Sequence, residues 1–322
     1  MRIHKISFYT LFLAFICVLM AGCSVINQYS KIPGVNYVSS LGNPDASDII
    51  WSPFDSTNLL VSAGNSIRRK AKVYILDIET RKRTLLAETN YGVMDGSGWS
   101  PDGKYVALSV EGGTKGFSQW GLWLINTENH SMEYLSDRTG YVVWLPDGDV
   151  LAFITGDLVS AQNPRRISIY LMDIPTKNME LVYSNPDALA YSSITSSPDG
   201  RYLVFMLMFD YYSDNDLFVL DLQTGVVHQL THDGTSWFPR WSPAGNLIAY
   251  QTDHEVGNKI MPSLHIALPD GSCDIEVSDL DYATSPTWSP DGRKIAFIGK
   301  DGIYTLDTDI VFGRDIYENL CP

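Results

Sequence analysis

The chain reads as an all-β protein, a six-bladed β-propeller of four-stranded antiparallel sheets, and three observations predict it. A five-residue phrase returns six times. An apolar, β-rich run follows every copy. A second phrase, alternating aliphatic and aromatic residues and usually ending in Asp, comes later in each period. Trp99-Ser100-Pro101-Asp102-Gly103 and Trp288-Ser289-Pro290-Asp291-Gly292 are full copies of the first phrase. Trp144-Leu145-Pro146-Asp147-Gly148, Ser196-Ser197-Pro198-Asp199-Gly200 and Trp241-Ser242-Pro243-Ala244-Gly245 each depart at one position, and Trp51-Ser52-Pro53 opens a looser sixth. The copies start 45 to 52 residues apart. A fixed period in this range marks a repeat architecture.

Each element follows from its residues. Proline presets φ for a tight turn, a short Asp side chain bonds nearby backbone, and Gly accepts positive φ, so the phrase predicts a turn between two strands. The runs after it are Leu59-Leu60-Val61, Tyr105-Val106-Ala107-Leu108, Val150-Leu151-Ala152-Phe153, Tyr202-Leu203-Val204-Phe205, Leu247-Ile248-Ala249-Tyr250 and Lys294-Ile295-Ala296-Phe297. Third strands follow, such as Val73-Tyr74-Ile75-Leu76-Asp77, Leu217-Phe218-Val219-Leu220-Asp221 and Ile303-Tyr304-Thr305-Leu306-Asp307. A polar turn then leads to a fourth strand, as in Val226-Val227-His228-Gln229-Leu230. Four short strands per period make one propeller blade. No long segment of 3.6-residue period remains for helices. The sixth copy lacks a clear fourth strand, while Val35-Asn36-Tyr37-Val38-Ser39-Ser40-Leu41 resembles one. This N-terminal strand is expected to complete the last blade and leave no open ring edge. The alternative is local closure by Ile310-Val311-Phe312.

The repeated Trp-Ser-Pro-Asp-Gly with its aliphatic strand resembles the TolB-type, WD-like propeller repeat, over roughly residues 36–307. The resemblance implies one six-bladed ring. TolB proteins carry an additional N-terminal α/β domain for which no sequence is seen here, so their particular partners are not carried over.

The N-terminus reads as a processing segment. Arg2 and Lys5 precede an apolar run over 6–20 that is short for a membrane span. It ends in Met20-Ala21-Gly22-Cys23, which resembles a bacterial lipobox. The expected organisation is a lipoprotein signal peptide over 1–22, a tether lipidated at Cys23 over 23–34, and a single propeller domain over 35–322. An uncleaved anchor or an ordinary signal peptide is the alternative. Ser24 after the cysteine favours an outer membrane, facing the periplasm, where the source has two membranes. The expected location is therefore the cell envelope, outside the cytoplasm. Losing 1–22 leaves 21 basic against 37 acidic residues. So acidic a protein is not expected to bind nucleic acid or to dock electrostatically on anionic lipid, and the lipid must hold it to the membrane. Cys273 and Cys321 are a disulfide candidate in such a compartment, with two free thiols as the alternative.

The turns carrying the repeated phrase fall on one face of the ring; the second-to-third-strand loops and the blade connections, where lengths vary, fall on the other. Inserted loops of this kind build binding surfaces. One ends at Trp120, another at Arg165 and Arg166, and a third sets Tyr211 and Tyr212 beside Asp210, Asp214 and Asp216. Connections add Trp237 and Phe238. These aromatics and charges suit a protein or glycan partner, although many would simply cover the blade ends. Asp210, Asp214 and Asp216 are a weak calcium set, lacking EF-hand spacing. No cofactor is expected. No Gly-x-Ser-x-Gly elbow occurs, and His228, His232 and His254 form no recognisable metal set. The reading is a non-catalytic binding module. The alternatives are a carbohydrate-active or hydrolytic propeller with its site at the channel mouth, and a sensor of small ligands.

Overall fold

The computed structural model describes residues 32–312 apart from 41–45, 66–69, 90, 114–119, 158–165, 210–214, 278–279 and 281. Six sheets of four antiparallel strands form the ring. Blade one holds β2 (Ala46–Trp51), β3 (Asn58–Asn65), β4 (Lys70–Asp77) and β5 (Arg83–Thr89). Blade two holds β6 (Tyr91–Trp99), β7 (Tyr105–Gly113), β8 (Gly121–Asn126) and β9 (Met132–Ser136). Blade three has β10 (Tyr141–Trp144), β11 (Val150–Asp157), β12 (Arg166–Asp173) and β13 (Met179–Asn185). Blade four has β14 (Ala190–Ser196), β15 (Tyr202–Met208), β16 (Asn215–Asp221) and β17 (Val227–Gln229). Blade five has β18 (Ser236–Trp241), β19 (Ile248–Val256), β20 (Lys259–Ala267) and β21 (Asp274–Glu276). Blade six is built from β22 (Thr284–Trp288), β23 (Lys294–Ile298), β24 (Gly302–Asp307) and, as its outer strand, β1 (Val35–Ser40). The pairing of β1 with β24, from Val35↔Leu306 to Ser40↔Gly302, closes the ring with the N-terminal strand as expected. Residues 310–312 lie instead in a one-turn helix, α1 (Thr308–Phe312).

The continuous apolar runs have a physical reason. Successive side chains of a strand point to opposite faces of its sheet, and here both faces are covered by neighbouring blades. In β7, Val106 and Leu108 turn toward blade one while Ala107 turns toward blade three. The apolar core is thus divided into clusters between adjacent blades rather than gathered at one centre. Each Trp of the repeated phrase sits in one of them: Trp51, Trp99, Trp144, Trp241 and Trp288 are all at most 9% exposed.

The rest of the phrase builds the turn. The Ser100 hydroxyl donates to Asp102 at 2.7 Å and accepts the Tyr105 amide at 2.9 Å, while the Gly103 amide donates to the Ser100 carbonyl. Ser197 with Asp199 and Tyr202, and Ser289 with Asp291 and Lys294, repeat the arrangement. Where copy five has Ala244 for Asp, the Asn246 side chain accepts the Ser242 hydroxyl instead. Gly200 takes φ +73° with its α-carbon facing Pro146 of the preceding blade, so a Cβ there would be both strained and crowded, at 3.2 Å from the proline ring.

The Asp residues that end third strands are also turn formers: Asp77 accepts the Glu79 and Thr80 amides, and Asp221 accepts that of Gln223. Hydrogen bonds to the ionised form hold such carboxyls below their ordinary value. The Lys104 amide does this for Asp102, the Thr176 hydroxyl for Asp173 and the Ser197 hydroxyl for Asp199. Arg201, 2.7 Å from Asp221, brings that carboxyl from 3.8 to about 2. Carboxylates depressed in the fold stabilise it above their unfolded pKa, and that contribution goes as pH drops through the folded values. Thermal melts should therefore show Tm level between about pH 5 and 7 and falling from about pH 4 toward 2. A Tm unchanged down to about pH 2.5 would contradict this reading of the turns.

Candidate functional site

The inner strands of the blades wall a central channel. Three of them carry a bulge at non-glycine residues of positive φ: Ser193 at 40°, Phe238 at 50° and Ser285 at 51°. Non-glycine residues held in this region cost about 1–3 kcal/mol each and persist where surroundings enforce them. A buried ion pair lies beside the bulges of β18 and β22. The Arg240 guanidinium, on β18, places Nη2 3.0 and 2.8 Å from the two carboxylate oxygens of Asp48 on β2. Asp48 also accepts the Ser285 hydroxyl and the Ile49 amide, and Arg240 Nη1 donates to the Pro239 carbonyl at 3.0 Å. Both charged side chains are only 11% exposed. The pair joins blade five to blade one across the edge of blade six.

Beside it lies a cavity of about 400 Å³, running from Tyr141 and the ion pair to the prolines of the repeated turns, Pro53, Pro101, Pro146 and Pro198. Sequence reading missed Asp48 and Arg240. A signal was available, since the residue before the phrase's first position is Ile50, Gly98, Val143, Thr195, Arg240 and Thr287 in turn. One long cation among small or apolar neighbours stands out.

On the long-loop face, Trp120 is 59% exposed just ahead of β8. Arg166 opens β12 exposed to solvent, in register with Asp157. Trp237 and Phe238 are half-buried on β18. They lie in blade five, diametrically across the ring from Trp120 in blade two, so the structure does not bring these candidates together. The β19–β20 hairpin projects from blade five, with Val256 58% and Ile260 66% exposed. Sequence reading did not single out these two. Arg165, Tyr211, Tyr212, Asp210 and Asp214 lie outside the described residues, as do Cys23 and Cys321.

Asp216 is buried within blade four. It accepts the Thr231 hydroxyl at 3.0 Å, the Gly234 amide at 3.2 Å and the Gln229 amide group at 2.9 Å, tying β16 to the start of the connection into blade five. Among the described residues no three His, Cys, Asp or Glu side chains gather in a way that could hold a metal ion. His265 packs at 5.5 Å against the Tyr250 ring and pairs with Asp274 at 3.2 Å. Cys273 is disulfide-bonded.

Known proteins share this architecture. The chain is 27% identical to the Tol-Pal system protein TolB of Francisella tularensis subsp. mediasiatica over 225 residues, 68% of this chain and 49% of that protein. It spans about half the length of the curated TolB relatives it matches. An uncharacterized protein of Agrobacterium fabrum is 26% identical across 76% of this chain and 78% of its own length. Among solved structures, TolB of Acinetobacter baumannii superimposes with a TM-score of 0.59 at 18% identity, covering 81% of this chain and 66% of that one. Oligogalacturonate lyase of Vibrio parahaemolyticus gives 0.56 at 14% identity, covering 85% and 93%. At these identities the structural likeness concerns the fold alone. The sequence family described as the prolyl oligopeptidase N-terminal beta-propeller domain matches residues 61–239, more than half of the chain. With six TolB-like blades in place and that match across blades one to five, the chain belongs to the prolyl oligopeptidase N-terminal beta-propeller domain family.

Proposed function

We propose that the protein is a lipid-anchored, extracytoplasmic module that binds another protein through the long-loop face. The observation that carries this reading is the exposure of Trp120, Val256 and Ile260, each more than half accessible, on the face where loop length varies between blades. Apolar side chains of this size in the rim of a rigid scaffold are the usual anchors of a protein contact. The likeness to a Tol-Pal system protein supports a protein partner in the cell envelope. Arg165 and Arg166 add a basic spot to an acidic surface, and Tyr211 and Tyr212 add aromatics, whereas Trp237 and Phe238 stand half-buried across the ring from Trp120.

Anchoring rests on Cys23 at the end of the lipobox-like segment, with residues 1–22 removed and 23–34 as the tether. Two or three acyl chains give firm membrane binding, at about 0.8 kcal/mol per buried CH₂. The disulfide at Cys273 is assigned to Cys321, because Cys17 leaves with the signal peptide and Cys23 is acylated. It would pin the C-terminal residues beneath blade five.

Cross-linking in intact membranes, followed by mass spectrometry, tests the face. Cross-links should concentrate on the long-loop side and be lost in a V256D/I260D variant, while Phe54→Asp on the opposite face leaves them intact. Cross-links confined to the short-turn face would overturn the assignment. Cys23→Ala should accumulate unprocessed or leave the membrane fraction; unchanged membrane retention and processing would remove the lipid from the account.

A further inference from the structure

Five of the six copies place an indole between adjacent blades, and the fourth places Ser196 there. Two of the five indoles are held alike, while Trp51, Trp241 and Trp288 keep Nε1 buried with no hydrogen-bond partner among the described residues. Trp99 Nε1 donates to the Ile50 carbonyl at 3.4 Å, and Trp144 Nε1 to the Gly98 carbonyl at 3.2 Å, each the residue before the phrase in the preceding blade. By the same register the carbonyl facing the missing indole is that of Val143. Ser196 is partly accessible, unlike all five tryptophans, and its hydroxyl reaches only to the Trp144 carbonyl. Leu145, standing where other copies have Ser, joins the apolar cluster between blades three and four and takes up part of the vacated room. It does not line the cavity; Val143, Trp144, Pro146 and Ser196 do. Space therefore remains on the axial side, continuous with the 400 Å³ channel cavity.

We propose that this cavity is a binding socket for an indole ring, seated beside Ser196 with its N–H donating to the Val143 carbonyl and reached between Pro146 and Pro198. The ligand chemistry is a flat bicyclic aromatic with one donor. At the Ser196 end the lining is proline and tryptophan surface with small hydroxyls, while the Asp48–Arg240 pair, its charges already matched, lines another part of the cavity. The site is at the short-turn end of the channel, so it stands independently of a partner on the long-loop face.

Calorimetric titration of the purified protein with indole tests it. Saturable binding of a ring this small is expected with Kd on the order of 0.1–1 mM. 1-Methylindole, lacking the donor, should bind about five-fold more weakly, as loss of one neutral hydrogen bond implies. Ser196→Trp should abolish binding by filling the socket. Crystals of the unaltered protein soaked in 5-bromoindole give a second readout that does not depend on that variant folding: the bromine peak should lie beside Ser196. Tighter binding of N-acetyltryptophanamide than of indole would identify a partner's tryptophan as the occupant, and the reverse order a free small molecule. No saturation by about 10 mM of either probe, binding that survives Ser196→Trp, or a bromine peak only elsewhere would overturn the proposal.

Discussion

Replacing Trp288 with Ala is expected to destabilise the ring by about 3–5 kcal/mol, the range for deleting a large buried aromatic. Trp288 is 7% exposed and belongs to the cluster between blades five and six, with Leu264 and Ile266 on one side and Phe297 and Leu306 on the other. Because the apolar contact between adjacent blades is made through such clusters, closing the hole requires one sheet to shift against the next. Urea denaturation followed by far-UV circular dichroism gives the measurement. Ser196→Ala, at the same place in the fourth copy, should cost under about 1 kcal/mol, since it removes only a partly exposed hydroxyl. Equal effects at the two positions would mean that the indoles do not carry the contact between blades.

The second large effect is expected at the axis. Asp48→Ala leaves the Arg240 guanidinium buried with no carboxylate, and breaking a buried pair in this way costs about 3–5 kcal/mol. Removing both charges together, as in a D48L/R240L double substitution, should recover most of that loss, because no desolvated charge remains. Denaturation midpoints of the two singles and the double give the coupling. A cost under about 1 kcal/mol for Asp48→Ala would show the pair to be solvated from the channel despite its low exposure.

What could be read from the chain, and what could not, divides along physical lines. Strand order and turn chemistry are local. Ser289, Asp291 and Lys294 build their turn from neighbours a few residues away, so a repeated phrase reports the element directly. Ring closure was legible because Val35 to Leu41 has the alternation of an outer strand while the sixth period lacks one. Asp48 and Arg240 are different. They meet across 192 residues, through two bulges and the curvature of the ring, and nothing near either residue reports the other. Val256 and Ile260 escaped notice because their phrase reads as ordinary strand; only the hairpin's length, with β19 pairing β20 out to Val256↔Lys259, carries them beyond the blade into solvent. The departures at Leu145 and Ser196 were visible as irregular copies. That both fall in one interface follows from side-chain direction, which the repeat alone does not display.

The direction in which β1 runs sets how the molecule would stand if its N-terminal end were held at a membrane. Val35, its first residue, pairs beside Leu306 at the end where the Pro-Asp-Gly turns lie, and the strand then climbs to Ser40 at the other rim. Chain preceding Val35 thus departs from the underside, next to α1 and below a rim of carboxylates that includes Asp291 and Asp307. A lipid at Cys23 would hang the disc with that rim toward the headgroups, whose own negative charge would keep it standing off rather than lying flat. Its opposite surface, bearing Trp120 and the projecting hairpin, would look outward into the aqueous space, open to whatever approaches from beyond the membrane.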